Sequence, residues 1–210
     1  MDVTPARNSR SIAVGATGTG KSTLEKGILR AMPYVLAIDP KPSLGMPGHL
    51  EGFALCRTPM ELRDQARRGV RHLQYRPEIA YQDYDDYDRV LLWAFRCGNR
   101  YIGIDEAYLV HNRIAGPGLM ACVTNGREKG IGMYVCTQRP CGIDPRLISE
   151  AEYGYVFHLR KPEDRERMAE CLGQPAVEEP ARGHQFWFCA PGREAVLTAL
   201  DRDYIDARRP

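Results

Sequence analysis

Residues 11–24 read Ser-Ile-Ala-Val-Gly-Ala-Thr-Gly-Thr-Gly-Lys-Ser-Thr-Leu, SIAVGATGTGKSTL. An apolar run enters a glycine-rich segment and a helix-forming run leaves it. Gly15 to Ser22 satisfies the spacing G-x-x-x-x-G-K-[ST] at every position. Glycine reaches backbone angles closed to other residues, so successive N–H groups can turn inward around phosphate oxygens. A helix starting near Lys21 adds the positive end of its dipole at the same point. Lys21 is placed to reach the β- and γ-phosphates, and the Ser22 hydroxyl to hold Mg²⁺. Gly15, Ala16, Thr17, Gly18, Thr19, Gly20, Lys21, Ser22 and Thr23 are therefore the expected cradle for the phosphates of ATP. The bland alternative, a tight turn, leaves the strand before and the helix after without a purpose.

On both sides of this loop, short apolar runs alternate with helical stretches, the pattern of an α/β domain with a largely parallel sheet. After a helix over about 21–31 come strands at 34–39 (YVLAID), 53–57 (FALCR) and 71–75 (RHLQY). The helix between the last two opens on Thr58-Pro59, a cap followed by a first-turn proline. Asp83 to Cys97 is the clearest amphipathic helix, with Tyr84, Tyr87, Leu91, Ala94 and Phe95 at helical spacing. The strand YIGID at 101–105 leads to a Gly/Pro loop around Gly116-Pro117-Gly118, then a helix to about Lys129 and the strand GMYVCT at 132–137. A short helix after Pro145, the strand YGYVFHL, a charged helix from Pro162 to Leu172 and strands near 185–189 and 194–199 complete the chain. At 210 residues this is one domain, with a core over about 10–173 and a C-terminal strand extension over 174–210.

The net charge of +2 neither requires nor excludes a basic face. The seven cysteines, at 56, 97, 122, 136, 141, 171 and 189, form no CxxC pair and have no zinc-like spacing. They read as reduced thiols, mostly small core residues, in a cytosolic compartment. The start, MDVTPARNSR, lacks the apolar core of a signal peptide, and no apolar run is long enough to span a bilayer.

Two further elements carry chemistry. In YIGIDEA an apolar strand delivers Asp105 and Glu106 to its C-terminal end, where open α/β sheets bind ligands. Asp105 suits a water-mediated hold on Mg²⁺, and Glu106 the general base that orients a water for attack on the γ-phosphate. Thr137-Gln138-Arg139-Pro140 follows the strand GMYVC. A polar side chain there is either a contact to the γ-phosphate or attacking water, or a polar turn ended by proline.

Together, VGATGTGKST, LAIDPK, IGIDEA, NGREKGIGMYVCTQRP, IDPRLISEAEYGYVFHL and PEDRERMAECLG resemble the HerA–FtsK superfamily of ring-forming DNA-pumping ATPases, over about Ile12 to Gly173. The resemblance implies a RecA-like P-loop NTPase core of the ASCE division, its mostly parallel central sheet flanked by helices. It also implies that Gln138 is the sensor glutamine and that Arg127 is the finger inserted by a neighbouring subunit. Arg139 and Arg160 compete for that role, and a solvated Arg127 beside Glu128 and Lys129 is the plain alternative. The ring would have five or six members.

Only some ten residues precede the first strand, and the chain has no room for a DNA-reading winged helix or inserted helical domains. This bare build is similar to the genome-packaging ATPases of membrane-containing icosahedral viruses, of the tectivirus and turreted archaeal kinds. The expected activity is thus ATP-driven movement of double-stranded DNA into a preformed capsid, without sequence preference. Its partners would be a capsid vertex or membrane-associated viral proteins, in the host cytoplasm or on the virion. A cellular or plasmid translocase of the same superfamily is the first alternative, and a small-molecule kinase with the same loop the second. Candidate DNA contacts are the loop His111-Asn112-Arg113 and the run Arg63, Arg67, Arg68, Arg71 and Arg76. Tyr81, Tyr84 and Tyr87 read as packing residues rather than a base-stacking platform.

Overall fold

In the computed structural model, residues 2–41, 50–78, 82–172 and 183–200 are described. The glycine loop grows out of β1 (Arg10–Val14), whose five residues are all buried. β1 pairs in parallel with β6 (Gly132–Thr137) on one side and β7 (Tyr153–Val156) on the other. Parallel pairing continues outward through β5 (Tyr101–Ile104), β2 (Val35–Ile38), β4 (His72–Tyr75) and β3 (Ala54–Cys56). The far side closes with the antiparallel hairpin β8 (Gln185–Cys189) and β9 (Val196–Ala199). The order is β3-β4-β2-β5-β6-β1-β7-β8-β9.

Helices cover both faces, which is why the inner strands read as continuous apolar runs rather than alternating ones. Ala13, Tyr134 and Cys136 point to the face that α1 (Lys21–Ala31) covers with Leu24, Ile28 and Leu29. Ile12, Val14, Ile102, Ile104, Met133 and Val135 point to the other face. There α3 (Tyr84–Cys97) and α4 (Pro117–Asn125) supply Val90, Leu91, Ala94, Leu119, Cys122 and Val123. The smaller helices are α2 (Pro59–Arg67), α5 (Arg146–Ser149) and α6 (Pro162–Leu172).

Two expected features change in the fold. Gly116-Pro117-Gly118 is not a loop: Pro117 opens α4, whose first free N–H groups, those of Gly118 and Leu119, donate to the Asp88 carboxylate of α3 at 2.9 Å each. Tyr84 is 42% exposed, while Tyr87 is buried; Tyr81 lies outside the described residues. No helix among the described residues is long and apolar enough to cross a membrane.

Strand order positions the site. The step from β1 through α1 to β2 leaves room for β6 and β5 between them, so the C-terminal ends of β1, β6 and β5 lie side by side. Val14 is in register with Thr137, and Ile104 with Val135. The residues that follow these strand ends, Gly15, Gln138 and Asp105-Glu106, must therefore converge.

Candidate nucleotide site

The loop leaves β1 anchored by backbone bonds from Gly15 N to Thr137 O (3.3 Å) and Ala16 N to His158 O (2.8 Å). A Cβ on Gly15 would stand 2.5 Å from Phe157 Cβ, so only glycine fits there. The loop closes on Gly20, left-handed at φ +109, which caps α1 without a side-chain bond. Among the described residues, the N–H groups of Gly18, Thr19 and Gly20 have no protein acceptor. Lys21 is folded over the loop, its Nζ donating to Gly15 O at 2.6 Å and Ala16 O at 3.0 Å. Burial lowers its pKa, partly offset by Cys136, Glu106 and Asp105. The result is a cationic amine set within a ring of backbone donors, a receptor for polyanions.

The three sequence elements meet in one hydrogen-bond relay. Thr17 Oγ1 donates to Gln138 Oε1 at 2.7 Å, and Gln138 Nε2 donates to Glu106 Oε1 at 2.5 Å. Glu106 is only 2% exposed, and its Oε2 is buried with no partner among the described residues. Its backbone is left-handed at φ +60, uncommon for a non-glycine residue and costing on the order of 1 kcal/mol. Such strain persists only where the surroundings over-determine it, and the carboxylate is held beside the loop by this turn.

Asp105, 3% exposed, accepts from Lys41 Nζ at 2.6 Å, and the same ammonium lies 3.9 Å from Glu106 Oε1. Burial opposes the charge on Lys41, but Asp105, with help from Glu106 and Glu25, outweighs it and raises the pKa. Below Asp105, Glu25 of α1 and Cys136 of β6 offer ligand atoms within 4.8 Å of it and of each other. Burial, followed by repulsion from Asp105 and Asp39, raises the Glu25 pKa well above 4.5. Ser22, Asp105 and Glu106 carry hard oxygen donors, the chemistry that suits Mg²⁺.

No protein-family model matches the sequence. Over 86 residues it is 35% identical to the DNA packaging ATPase P9 of Enterobacteria phage PRD1, covering 40% of this chain and 37% of that protein. The chain thus matches little more than a third of the length of this curated relative. It also superposes on the genome packaging NTPase B204 of Sulfolobus turreted icosahedral virus 2, solved in complex with AMPPCP. That match has a TM-score of 0.76 over 91% of this chain and 97% of the other, at 18% identity. The chain therefore has the fold of this NTPase. VirB4 of Thermoanaerobacter pseudethanolicus shares it, with TM-score 0.69 and 10% identity over 96% of this chain and 92% of that one.

The P-loop, Asp105, Glu106 and Gln138 gather as the sequence reading expects. Arg127 does not join them within the chain. It lies in the turn before β6, at the opposite end of the sheet from the P-loop, and pairs with Glu152 at 2.5 Å. Arg139 and Arg160 instead line a cleft beside Ala16 and Thr17, with Arg139 over the Tyr108 ring at 5.7 Å. Arg76 leaves the candidate DNA-contact run. It is 4% exposed and its guanidinium is bonded to Asp39, while Arg63, Arg67, Arg68 and Arg71 are exposed. His111 is likewise buried. The exposed tip is Asn112–Ile114, held at its base by Ala115 N donating to Asp144 Oδ2 at 3.0 Å. Asp144 also binds Arg146, whose hydrogen bonds hold its carboxyl well below the usual range.

Among the described cysteines, Cys56, Cys122, Cys136 and Cys189 are buried, but Cys97 and Cys141 are exposed and so are not core residues. Sequence reasoning assigns no role to Lys41 or Glu25. The available signals were a cation just past a strand end in LAIDPK and an acid one helical turn after Lys21.

Proposed function

We propose that the chain is a Mg²⁺-dependent ATPase that drives double-stranded DNA, without sequence preference, into a preformed viral capsid. The observation that carries this reading is the Thr17–Gln138–Glu106 relay closing over a complete P-loop. The sequence match to a phage packaging ATPase supports the packaging setting.

In this mechanism the backbone N–H groups of residues 15–23 bind the phosphates, and Lys21 exchanges its two carbonyl partners for phosphate oxygens. Ser22 and Asp105 would hold Mg²⁺, which supplies charge neutralisation at the phosphates when bound. Lys41 then gives up part of its hold on Asp105. Gln138 fixes the Glu106 carboxylate, and Glu106 takes the proton of the attacking water. Arg127 acts on the next subunit's nucleotide in a ring of five or six, after release from Glu152, and such a finger is worth roughly 10³–10⁵ in rate. The tip Asn112–Ile114 and the exposed arginines of α2 meet DNA phosphates, and other surfaces dock on a capsid vertex or membrane-associated viral proteins. The work is done in the host cytoplasm, or on the virion.

The test is ATP hydrolysis with and without double-stranded DNA across protein concentrations. Weak basal turnover should rise with concentration and with DNA, and the DNA effect should fade with salt. DNA-indifferent turnover with transfer of phosphate to a small acceptor would replace this reading with that of a kinase.

A further inference from the structure

The hairpin of β8 and β9 reaches the P-loop from a part of the chain to which no motif assigns a role. His184, immediately before β8, places Nδ1 3.2 Å from the Thr19 carbonyl oxygen. A Cβ on Gly20 would stand 3.1 Å from that same Nδ1 and 3.0 Å from Leu200 Cδ1, just beyond β9. His184 and Leu200, side by side at the open end of the hairpin, thus lie against the Thr19–Gly20 segment. A carbonyl oxygen only accepts, so His184 Nδ1 carries the hydrogen and donates.

A trans peptide is planar, so the Thr19 C=O and the Gly20 N–H are one rigid unit pointing in opposite directions. Holding the carbonyl outward aims the N–H inward, where it has no protein acceptor among the described residues. Gly20 at φ +109 has the backbone freedom that would let this peptide turn over, presenting an oxygen instead of an N–H to the phosphate. We propose that His184 is a positioning residue that prevents this reversal, making the C-terminal hairpin part of the nucleotide site. The inference rests on the P-loop reading above.

The test measures binding of inorganic tripolyphosphate and of ATP by calorimetry on the full chain. It compares wild type, His184→Leu, His184→Asn and, as a site control, Lys21→Ala, and follows the Gly20 amide by NMR. The Asn side-chain nitrogen donates from about the place of Nδ1. His184→Leu should weaken both ligands by one common factor of about fivefold, the scale of one net hydrogen bond. His184→Asn should recover affinity to within about twofold of wild type. The shift of the Gly20 resonance on adding tripolyphosphate should shrink in the Leu variant and return in the Asn variant. Unchanged tripolyphosphate affinity in His184→Leu overturns the proposal. So does a loss confined to ATP, which would mean that His184 reads the nucleoside. Equal losses in Leu and Asn variants with an unmoved Gly20 resonance would reduce His184 to packing. A wild type that binds neither ligand, indistinguishable from Lys21→Ala, would remove the P-loop reading itself.

Discussion

Replacing Gln138 with alanine separates binding from chemistry. The substitution removes the 2.5 Å donor to Glu106 Oε1 and the acceptor of Thr17 Oγ1. Glu106 is buried and its second oxygen has no partner among the described residues, so the carboxylate loses its direct hydrogen-bond donor there, with Lys41 remaining 3.9 Å away. A hydrogen bond to a charged group is worth about 1.5–3 kcal/mol. If that energy is needed only where Glu106 orients water in the transition state, kcat falls by roughly 10- to 150-fold. The loop N–H groups of Gly18, Thr19 and Gly20 are untouched, so ATP affinity should change by less than about twofold. Single-turnover hydrolysis at saturating ATP, beside equilibrium binding, reads the two terms separately. Gln138→Glu should be worse, because it sets a second carboxylate against Glu106. Wild-type kcat in Gln138→Ala, or a loss accounted for wholly by weaker binding, would refute the relay.

Arg127→Ala should retain ATP binding yet lose hydrolysis in the assembled ring by roughly 10³-fold or more, and mixing with Glu106→Gln subunits should restore part of it. Absence of rescue in mixing experiments counts against a shared site. Arg76→Ala should cost about 3–5 kcal/mol of stability in urea unfolding because it leaves Asp39 buried without its guanidinium partner. A neutral effect would contradict a buried Asp39 that depends on this guanidinium. Glu25 holds its proton more tightly in the fold than in the unfolded chain, because burial, then Asp105 and Asp39, raise its pKa above 4.5. Its contribution is whole below that value and is lost as pH rises towards the folded pKa, with a slope of up to about 1.4 kcal/mol per pH unit. Glu25→Gln should therefore gain on wild type as pH rises from about 5 to 8, and a constant difference would contradict the shift.

The sheet was legible because buried parallel strands write themselves as apolar runs between strong breakers. GMYVCT is β6 residue for residue, and Pro162–Leu172 is α6. The glycine loop was legible from its fixed internal spacing, and Asp105 and Glu106 from an apolar strand that ends in two acids; the fold brings the two segments together through Gln138. What the sequence hid depends on contacts between distant segments. Lys41 meets Asp105 only because β2 lies beside β5, and Arg76 is buried only because β4 lies beside β2. The start of α4 lacked a local cap because Asp88, some thirty residues earlier, does that work across helices. His184 lies 165 positions from Thr19, and no periodicity joins them.

The most direct measurement is ATP binding and turnover by wild type, Lys21→Ala and Glu106→Gln under one set of conditions. Lys21→Ala should lose affinity for ATP. Glu106→Gln should bind ATP as tightly as wild type and hydrolyse it slower by roughly 10²- to 10⁴-fold. Wild-type affinity in Lys21→Ala, or undiminished turnover in Glu106→Gln, would contradict a triphosphate held by residues 15–23 and attacked by water from the end of β5.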